Sequence, residues 1–304
     1  MTDEQGRPGD EPPLSSLMDR IASLPCWRGR VDIAPLAGGM TNRNFLVTDS
    51  GRRFVVRLGE DIPVHGVLRF NELAASRAAH AAGLSPEVVH AEPGVTVLDH
   101  IEARTLTPED IRDPARLAPI VDLIRRCHRD IPRFLRGPVL SFNVFHVARD
   151  YLATLRDGGS RYVAEIADWA DRATLLESVV GPIDLVFGHN DLLASNLLDD
   201  GRRLWLIDWD YAGFNTPLFD LGGLASNNGF DSAHERALLT AYFDRPPDGV
   251  LSSRYEAMKC ASLMRETLWS MVSELTSKVS GVDFAAYTRE NRARFEAAWA
   301  VFGK

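Results

Sequence analysis

The sequence predicts an α+β protein with two lobes, a small N-terminal lobe built on an antiparallel β-sheet and a larger, mainly helical C-terminal lobe. Two patterns support this fold class. Short β-branched and aromatic segments separated by glycine turns follow one another in the first third of the chain. From about residue 113 onwards, apolar residues instead recur every three and four positions, as on helices. A chain of 304 residues is long enough for a buried core in each lobe.

The pattern also predicts where the lobes begin and end. Residues 1–13 are polar, acidic and proline-rich, which is typical of a flexible tail. An amphipathic helix, three strands, an alanine-rich helix and two more strands complete a small lobe over residues 14–101. Residues 102–304 form the helical lobe, interrupted at 183–213 by strand-like segments expected to form one small inserted sheet. Helices are expected to resume at residue 231.

Composition excludes several classes of protein. A net charge of -8 argues against broad nucleic-acid binding, which requires a basic face. Cys26, Cys127 and Cys260 lie far apart without a C-x-x-C pair, so neither a zinc site nor a redox dithiol is indicated. The N-terminus lacks the features of a signal peptide, and no apolar run is long enough to span a membrane. We therefore expect a cytoplasmic protein without nucleic-acid or membrane partners.

The strongest chemical signal is the spacing of two acids and an amide. Asp191 and Asn196 lie five positions apart, and Asp208 ends the next apolar segment twelve positions later. Phosphoryl transfer needs a carboxylate beside the attacking hydroxyl group and oxygen ligands for Mg²⁺ on the phosphates of ATP. Asp191 is therefore the candidate catalytic base, and Asn196 and Asp208 are the candidate metal ligands.

A plainer interpretation makes Asp191 and Asn196 turn residues and Asp208 a solvated acid. This interpretation does not explain why apolar segments would place all three side chains close together. His189 is expected to orient the loop through backbone hydrogen bonds rather than to act as an acid. Asp210 has three open roles, namely a second metal ligand, a ligand of a cationic acceptor and a solvated acid.

These segments resemble a known family. GHNDLLASN followed by LIDWDYAGFNTPLFDLG is similar to the H-x-D-x-x-x-x-N and I-D-x-x-Y-A-G signatures of the choline/ethanolamine kinase and aminoglycoside phosphotransferase superfamily. LAGGMTNRNFLV resembles the phosphate-binding strand pair of that family, and ETLWSMV resembles its substrate-lobe helix. The resemblance implies a bilobal protein-kinase-like fold with Asp191 as base and Asn196 and Asp208 as magnesium ligands. It also implies that Asp220 is a buried acid that stabilises the catalytic loop.

The nucleotide side is predicted in the small lobe. Glycines between two strands let backbone N–H groups approach a phosphate, and short polar side chains add donors. The residues that supply these groups are Gly38, Gly39, Thr41, Asn42 and Asn44.

Two further features belong to the nucleotide side. Arg57 stands where kinases of this architecture place a lysine on the α- and β-phosphates, and Glu72 is its expected partner. The alternative is a surface Arg57 and a helix-face Glu72 without mutual contact. The backbone between Asp99 and Ile101 is expected to form the hinge that faces adenine.

The acceptor is predicted to be a small, cationic alcohol. A permanent cation is bound by aromatic faces and carboxylates, and the candidates are Asp210, Tyr211, Glu266, Trp269 and Tyr287, with Trp209 as a further aromatic residue. Trp269 favours a quaternary amine such as choline. Glu266, which stands where choline kinases often have a second tryptophan, favours a primary ammonium group. The alternatives are a core tryptophan and a surface glutamate.

The sequence thus predicts an ATP- and Mg²⁺-dependent phosphotransferase that acts on choline, ethanolamine or a similar alcohol. Within the same fold, an aminoglycoside, thiamine or another small alcohol is the alternative acceptor. A regulatory pseudokinase that only binds nucleotide is a further alternative, for which the arginine at position 57 is the supporting feature.

Overall fold

The computed structural model describes residues 12–36, 42–277, 279 and 281–302. The chain forms two compact units and passes between them several times, including after Glu60, after Glu87 and after His100. Residues 61–87, which the sequence places in the small lobe, belong to the larger unit. Most of the predicted tail and the glycine-containing segment 37–41 lie outside the described residues.

The smaller unit contains the predicted antiparallel sheet. Its elements are helix α1 (Leu14–Ala22) and strands β1 (Asp32–Leu36), β2 (Arg43–Asp49), β3 (Arg52–Leu58), β4 (Val88–Glu92) and β5 (Val95–Asp99). The strands pair in the order β1-β2-β3-β5-β4, all antiparallel. Ser50 and Gly51, at the predicted turn between β2 and β3, both have positive φ, as a two-residue hairpin loop of type I′ requires. Alternate residues of β2 and β3 pack on Leu17 and Ile21 of α1 to form the core of this unit.

The larger unit is mainly helical, as predicted. Its helices are α2 (Arg69–Ala81), α3 (Pro108–Arg112), α4 (Leu117–Asp130), α5 (Val144–Asp157), α6 (Ile166–Val180), α7 (Pro217–Asn227), α8 (Ser232–Phe243), α9 (Gly249–Thr276) and α10 (Phe284–Phe302). Helix α9 packs against α5, α6, α7 and α10. Because neighbours surround it, its buried residues occupy most of its circumference rather than a single stripe.

The prediction of one inserted sheet is wrong. The short strands are β6 (Arg104–Thr105), β7 (Val186–Gly188), β8 (Leu197–Asp199), β9 (Leu204–Leu206) and β10 (Gly213–Asn215). β7 pairs with β10, whereas β8 lies between β6 and β9 and pairs with both. β6 and β10 were not predicted, because segments of two or three residues are too short to show the alternation of a strand.

The expected return of helices at residue 231 is also wrong, since α7 begins at Pro217. Thr216 caps this helix through its side chain, and proline occupies the first helical position. Residues 218–225 of α7 are all buried, so the helix lacks the exposed polar face whose spacing in the sequence would have predicted it. No helix in the described part of the chain is both long and apolar enough to cross a membrane.

Helices α7 and α9 approach closely at a glycine. A Cβ atom on Gly222 would lie 3.0 Å from the Cα atom of Lys259 on α9, whereas one on Gly223 would meet nothing closer than 3.5 Å. We therefore expect Gly222→Ala to lower the free energy of unfolding by about 1–3 kcal/mol through overpacking. Urea unfolding measures this change. Gly223→Ala is the matched control on the same helix, and equal stability of the two variants would contradict this account of the packing.

Candidate active site

The loop after β7 is held by one buried carboxylate. Asp220 on α7 accepts hydrogen bonds from the backbone N–H groups of His189, at 2.9 Å, and Asn190, at 2.7 Å. The imidazole Nε2 of His128 donates a third hydrogen bond, at 2.9 Å. Burial alone would raise the pKa of Asp220, but the His128 hydrogen bond and charge, together with the loop N–H groups, lower it. Asp220 is therefore a buried anion that fixes the start of the loop, the role that the resemblance implies.

The side chains of His189 and Asn190 fix the loop further. Burial lowers the pKa of His189, so its ring is neutral and its Nε2–H donates to the carbonyl of Ile207 at 2.9 Å. This is the structural role expected for His189. Asn190 adopts a positive φ of 63°. Its amide nitrogen donates to the carbonyls of Tyr211 and Gly213, at 2.9 and 3.2 Å.

Asp191, Asn196 and Asp208 meet at one end of a hairpin. Leu197 of β8 pairs with Leu206 of β9, so the residues that flank this pair lie at the same end of the two strands. The N–H of Ile207 donates to the carbonyl of Asn196 at 3.0 Å. The Asn196 side chain in turn donates to the carbonyl of Asp191 at 3.0 Å. Asp208 has a φ of 71°, which is uncommon for a residue with a side chain and is found at constrained sites.

The environment of Asp191 opposes its charge. Burial raises the pKa of Asp191 to about 8. Arg265 lowers the pKa, while Glu266, Asp208 and Asp210 raise it further through like charge. Such a perturbed carboxyl group beside further acids is typical of a catalytic acid or base.

The donor atoms fit a magnesium ion that nucleotide phosphates help to hold. No group of three or more histidine, cysteine or acidic side chains forms a metal cluster within the described ranges. The amide nitrogen of Asn196 donates a hydrogen bond to the backbone carbonyl of Asp191, which leaves the amide oxygen as the atom that can bind a cation. Asp208 offers a carboxylate. Mg²⁺ is usually held by one or two protein ligands together with phosphates and water, so an amide and a carboxylate suffice.

A small cavity lies beside Asp191. It runs between the loop and helices α7 and α9, and Asn227, Ser262, Arg265 and Glu266 line it along with Asp191. Glu266 accepts hydrogen bonds from the Tyr287 hydroxyl at 2.7 Å and from Nη1 of Arg265 at 2.8 Å. The structure therefore brings two predicted acceptor residues, Glu266 and Tyr287, into one hydrogen-bonded group at this cavity.

The comparisons with known proteins agree with this geometry. The family described as "APH: Phosphotransferase enzyme family" matches residues 32–251. The chain belongs to this phosphotransferase family. The crystal structure of a choline/ethanolamine kinase family protein from Mesorhizobium loti is 30% identical and has a TM-score of 0.76, with 93% of this chain and 94% of that chain covered. The phosphotransferase is thus a member of the choline/ethanolamine kinase family, and the predicted protein-kinase-like fold is confirmed.

Two further proteins resemble the phosphotransferase. Protein LicA of Haemophilus influenzae is 32% identical over 191 residues, which are 60% of this chain and 55% of that protein. The chain thus matches little more than half of this relative's length. A crystal structure of LicA in complex with AMP shares the fold, with 21% identity, a TM-score of 0.71 and coverage of 93% of this chain and 98% of that chain.

The aromatic residues predicted to bind the acceptor are largely buried in the phosphotransferase. Trp269 is only 5% exposed, stacks on His65 with a centroid distance of 4.8 Å, and donates through Nε1 to the Tyr211 hydroxyl at 2.9 Å. The Arg265 guanidinium lies 4.2 Å from the centre of the Tyr211 ring. Trp209 is buried against His189. The cation-binding role of Trp269 and Tyr211 stays a prediction.

Arg69 connects two of the predicted acids. Its Nη1 donates to Glu72 at 2.6 Å and to Asp210 at 3.0 Å, and both carboxylates are buried. The segment that follows Asp208 is thereby tied to α2. The predicted pairing of Glu72 with Arg57 and the role of Asp210 at the acceptor stay predictions. Arg69 was missed, although its spacing three residues before Glu72 on a helix is a signal for an ion pair.

The nucleotide side lies in the smaller unit. Asn44 on β2 is directly opposite Arg57 on β3, so both belong to one cross-strand pair. Asn42 is buried just before β2. Asp99 ends β5 and accepts a hydrogen bond from Arg52 at 3.1 Å.

Other nucleotide-side predictions have no structural outcome. Gly38, Gly39 and Thr41 lie outside the described residues. Ile101 is the first residue of the larger unit after the segment Val88–His100 of the smaller unit. The phosphate-binding and hinge roles stay predictions.

We expect Asp220→Asn to lower the free energy of unfolding by about 3–5 kcal/mol at neutral pH, because His128 and the loop N–H groups lose a buried anion. The pKa of Asp220 is lowered on folding, so its contribution is complete above the ordinary aspartate pKa of about 4 and is lost as the pH falls through the folded pKa. Urea unfolding at a series of pH values should therefore show an acid slope that the variant lacks. Asp171→Asn, at an exposed position, is the control, and an unchanged acid slope in Asp220→Asn would contradict the assignment.

Asp191 should have the opposite effect on stability. Its pKa is raised to about 8 in the folded protein, so ionisation costs stability as the pH rises from about 4 to about 8. Asp191→Asn should raise the melting temperature of the ligand-free protein by roughly 2–4 °C above pH 8, and this gain should vanish near pH 4. Thermal unfolding across this range measures it. A gain that is independent of pH, or one shared by Asp171→Asn, would refute the electrostatic origin.

Proposed function

We propose that this phosphotransferase moves the γ-phosphoryl group of ATP to the hydroxyl group of a small alcohol with the help of Mg²⁺. The observation that carries the proposal is the meeting of Asp191, Asn196 and Asp208 at one end of the β8–β9 hairpin. A base candidate and two oxygen ligands of different types are the protein groups that this reaction requires.

In this proposal Asp191 orients the acceptor hydroxyl and takes its proton. It must be ionised to do so, and its raised pKa means that a neighbouring positive charge is needed. Arg265 on α9 already lowers this pKa, which is about 8 with Arg265 in place, so the further positive charge would have to come from bound Mg²⁺. Mg²⁺, held by Asn196, Asp208 and the phosphates, would neutralise the charge that develops on the transferred group. The hydrogen bond from Asn196 to the Asp191 carbonyl keeps the base and the metal ligand in a fixed relation.

ATP would bind through the smaller unit. The segment with Gly38 and Gly39 would hold phosphates through backbone N–H groups, with Thr41, Asn42 and Asn44 beside it. Arg57 would contact the α- and β-phosphates. The AMP in the LicA structure supports nucleotide binding by this fold.

Choline or ethanolamine is the first candidate acceptor. Membership of the choline/ethanolamine kinase family supports it. Glu266, at the cavity beside Asp191, is the carboxylate that would meet an ammonium group, with Tyr287 next to it. Asp210, Tyr211 and Trp269 complete the predicted set.

A different small alcohol, such as an aminoglycoside or thiamine, is the second candidate. One observation favours an aminoglycoside over choline and over thiamine, whose thiazolium nitrogen is also a permanent cation. One face of each ring that a quaternary ammonium group would use is already engaged, since His65 stacks on Trp269 and Arg265 covers Tyr211. An acceptor recognised mainly by hydrogen bonds suits such a pocket better.

Turnover measurements test the proposal. Asp191→Ala should reduce ATP consumption with acceptor by at least about 1,000-fold while retaining ATP binding, because it removes the base and no phosphate contact. Asp208→Ala should lose the Mg²⁺-dependent part of nucleotide affinity. The turnover and the nucleotide affinity of both variants are measured with choline, ethanolamine, thiamine and aminoglycosides as acceptors.

The control is Ser195→Ala, an exposed position on the same loop, which should keep wild-type turnover. Normal turnover by Asp191→Ala would refute the base assignment. Normal nucleotide affinity without transfer to any acceptor would favour the regulatory pseudokinase.

A further inference from the structure

Arg265 on α9 is a buried cation whose hydrogen bonds are incomplete. Its side chain is 5% exposed, and its Nη1 donates to Glu266 at 2.8 Å. The other two nitrogens, Nε and Nη2, are buried and have no hydrogen-bond partner in the described part of the chain. Buried N–H groups of a charged side chain destabilise the folded protein when they remain without a hydrogen-bond acceptor. A ligand that accepts hydrogen bonds from Nε and Nη2 would remove this destabilisation.

The two unsatisfied nitrogens form one edge of the guanidinium. The Nε–H and one Nη2–H point in parallel on the side away from Nη1, and this edge binds both oxygens of a carboxylate or phosphate at once. The ion pair with Glu266 uses Nη1 and leaves this edge available. The Tyr151 hydroxyl is hydrogen-bonded to His65 at 3.1 Å and also lies within side-chain hydrogen-bond range of the guanidinium, so an anion bound there competes with it. Stacking on the Tyr211 ring holds the guanidinium plane in place.

Arg265 belongs to the same cavity as the catalytic base. Both Asp191 and Arg265 line it, and the charge of Arg265 acts on Asp191 directly. Ser262 and Asn227 add polar groups to the wall. An anion that Arg265 binds in this cavity would therefore lie near Asp191.

We propose that the Nε/Nη2 edge of Arg265 is an oxyanion-binding site of the acceptor pocket, an inference that rests on the proposed function in taking Asp191 as the base. The ligand chemistry is a group with two coplanar oxygens carrying negative charge. It has two possible sources. One is the phosphoryl group in transfer or on the product, and the other is a carboxylate on the acceptor.

The first experiment measures anion binding without nucleotide. Inorganic phosphate and acetate are the probes, and thermal shift and calorimetry are the readouts. We expect saturable binding to the wild type and at least about tenfold weaker binding to Arg265→Lys, which keeps the charge but cannot offer two parallel donors. Arg254→Lys is the matched control on α9, since Arg254 donates to the backbone carbonyls of Val180 and Pro182.

The choice of probe separates the two sources. Binding of phosphate but not acetate, with kcat of Arg265→Lys reduced for every acceptor, assigns the edge to the phosphoryl group. Binding of acetate as well, with KM raised only for hydroxy compounds that carry a carboxylate, assigns it to the acceptor. Should Arg265→Lys fail to fold, a wild-type crystal is soaked in phosphate or acetate instead. Electron density for the anion beside Nε and Nη2 of Arg265 then supports the inference, and its absence contradicts it.

Two outcomes would overturn the inference. One is the absence of saturable binding to the wild type, and the other is equal binding by wild type and Arg265→Lys, since either would leave a structural arginine solvated by water. Failure of the proposed function has a different signature. If anion binding depends on Arg265 but no assay detects phosphoryl transfer, the oxyanion-site inference stands and the proposed kinase activity is refuted.

Discussion

The whole candidate site depends on the ionised carboxylate of Asp220. A carboxylate inside a helical core is unfavourable unless hydrogen bonds replace the lost water, and three donors do so here. Two of them are backbone N–H groups at the end of β7, and the third is His128 on α4. The charge therefore fastens the loop to two helices at once. Every later residue of the site, including Asp191, takes its position from that attachment.

Local strain is concentrated next to this attachment. Asn190 and Asp208 both have the positive φ that costs a non-glycine residue about 1–3 kcal/mol. Asn190 is held in this conformation by its side chain, which makes three hydrogen bonds to the single segment 211–215. Residues that are over-determined in this way do not relax when a substrate arrives or leaves. The loop is therefore preorganised before any ligand binds.

The sequence predicted those features that depend on local patterns. The antiparallel sheet follows from alternation and turns, and the meeting of Asp191 with Asn196 and Asp208 follows from spacing around a hairpin. The separate pairing of β7 was not predictable, because its partner strand is three residues long. Arg265 was missed for another reason. A charged residue in a helix is ordinarily assigned to the surface, and only the packing of neighbours around α9 shows that this one is buried.

Helix α9 has a consequence for how this enzyme can change over evolution. Arg265, Glu266 and Trp269 occupy little more than one turn of it, and the rest of the helix is the centre of the larger unit. Under the proposed function, selectivity and folding are therefore encoded in the same stretch of sequence. A substitution that opened the proposed pocket to a new acceptor would also remove a core contact, so new specificities should arise mainly in backgrounds that already have surplus stability.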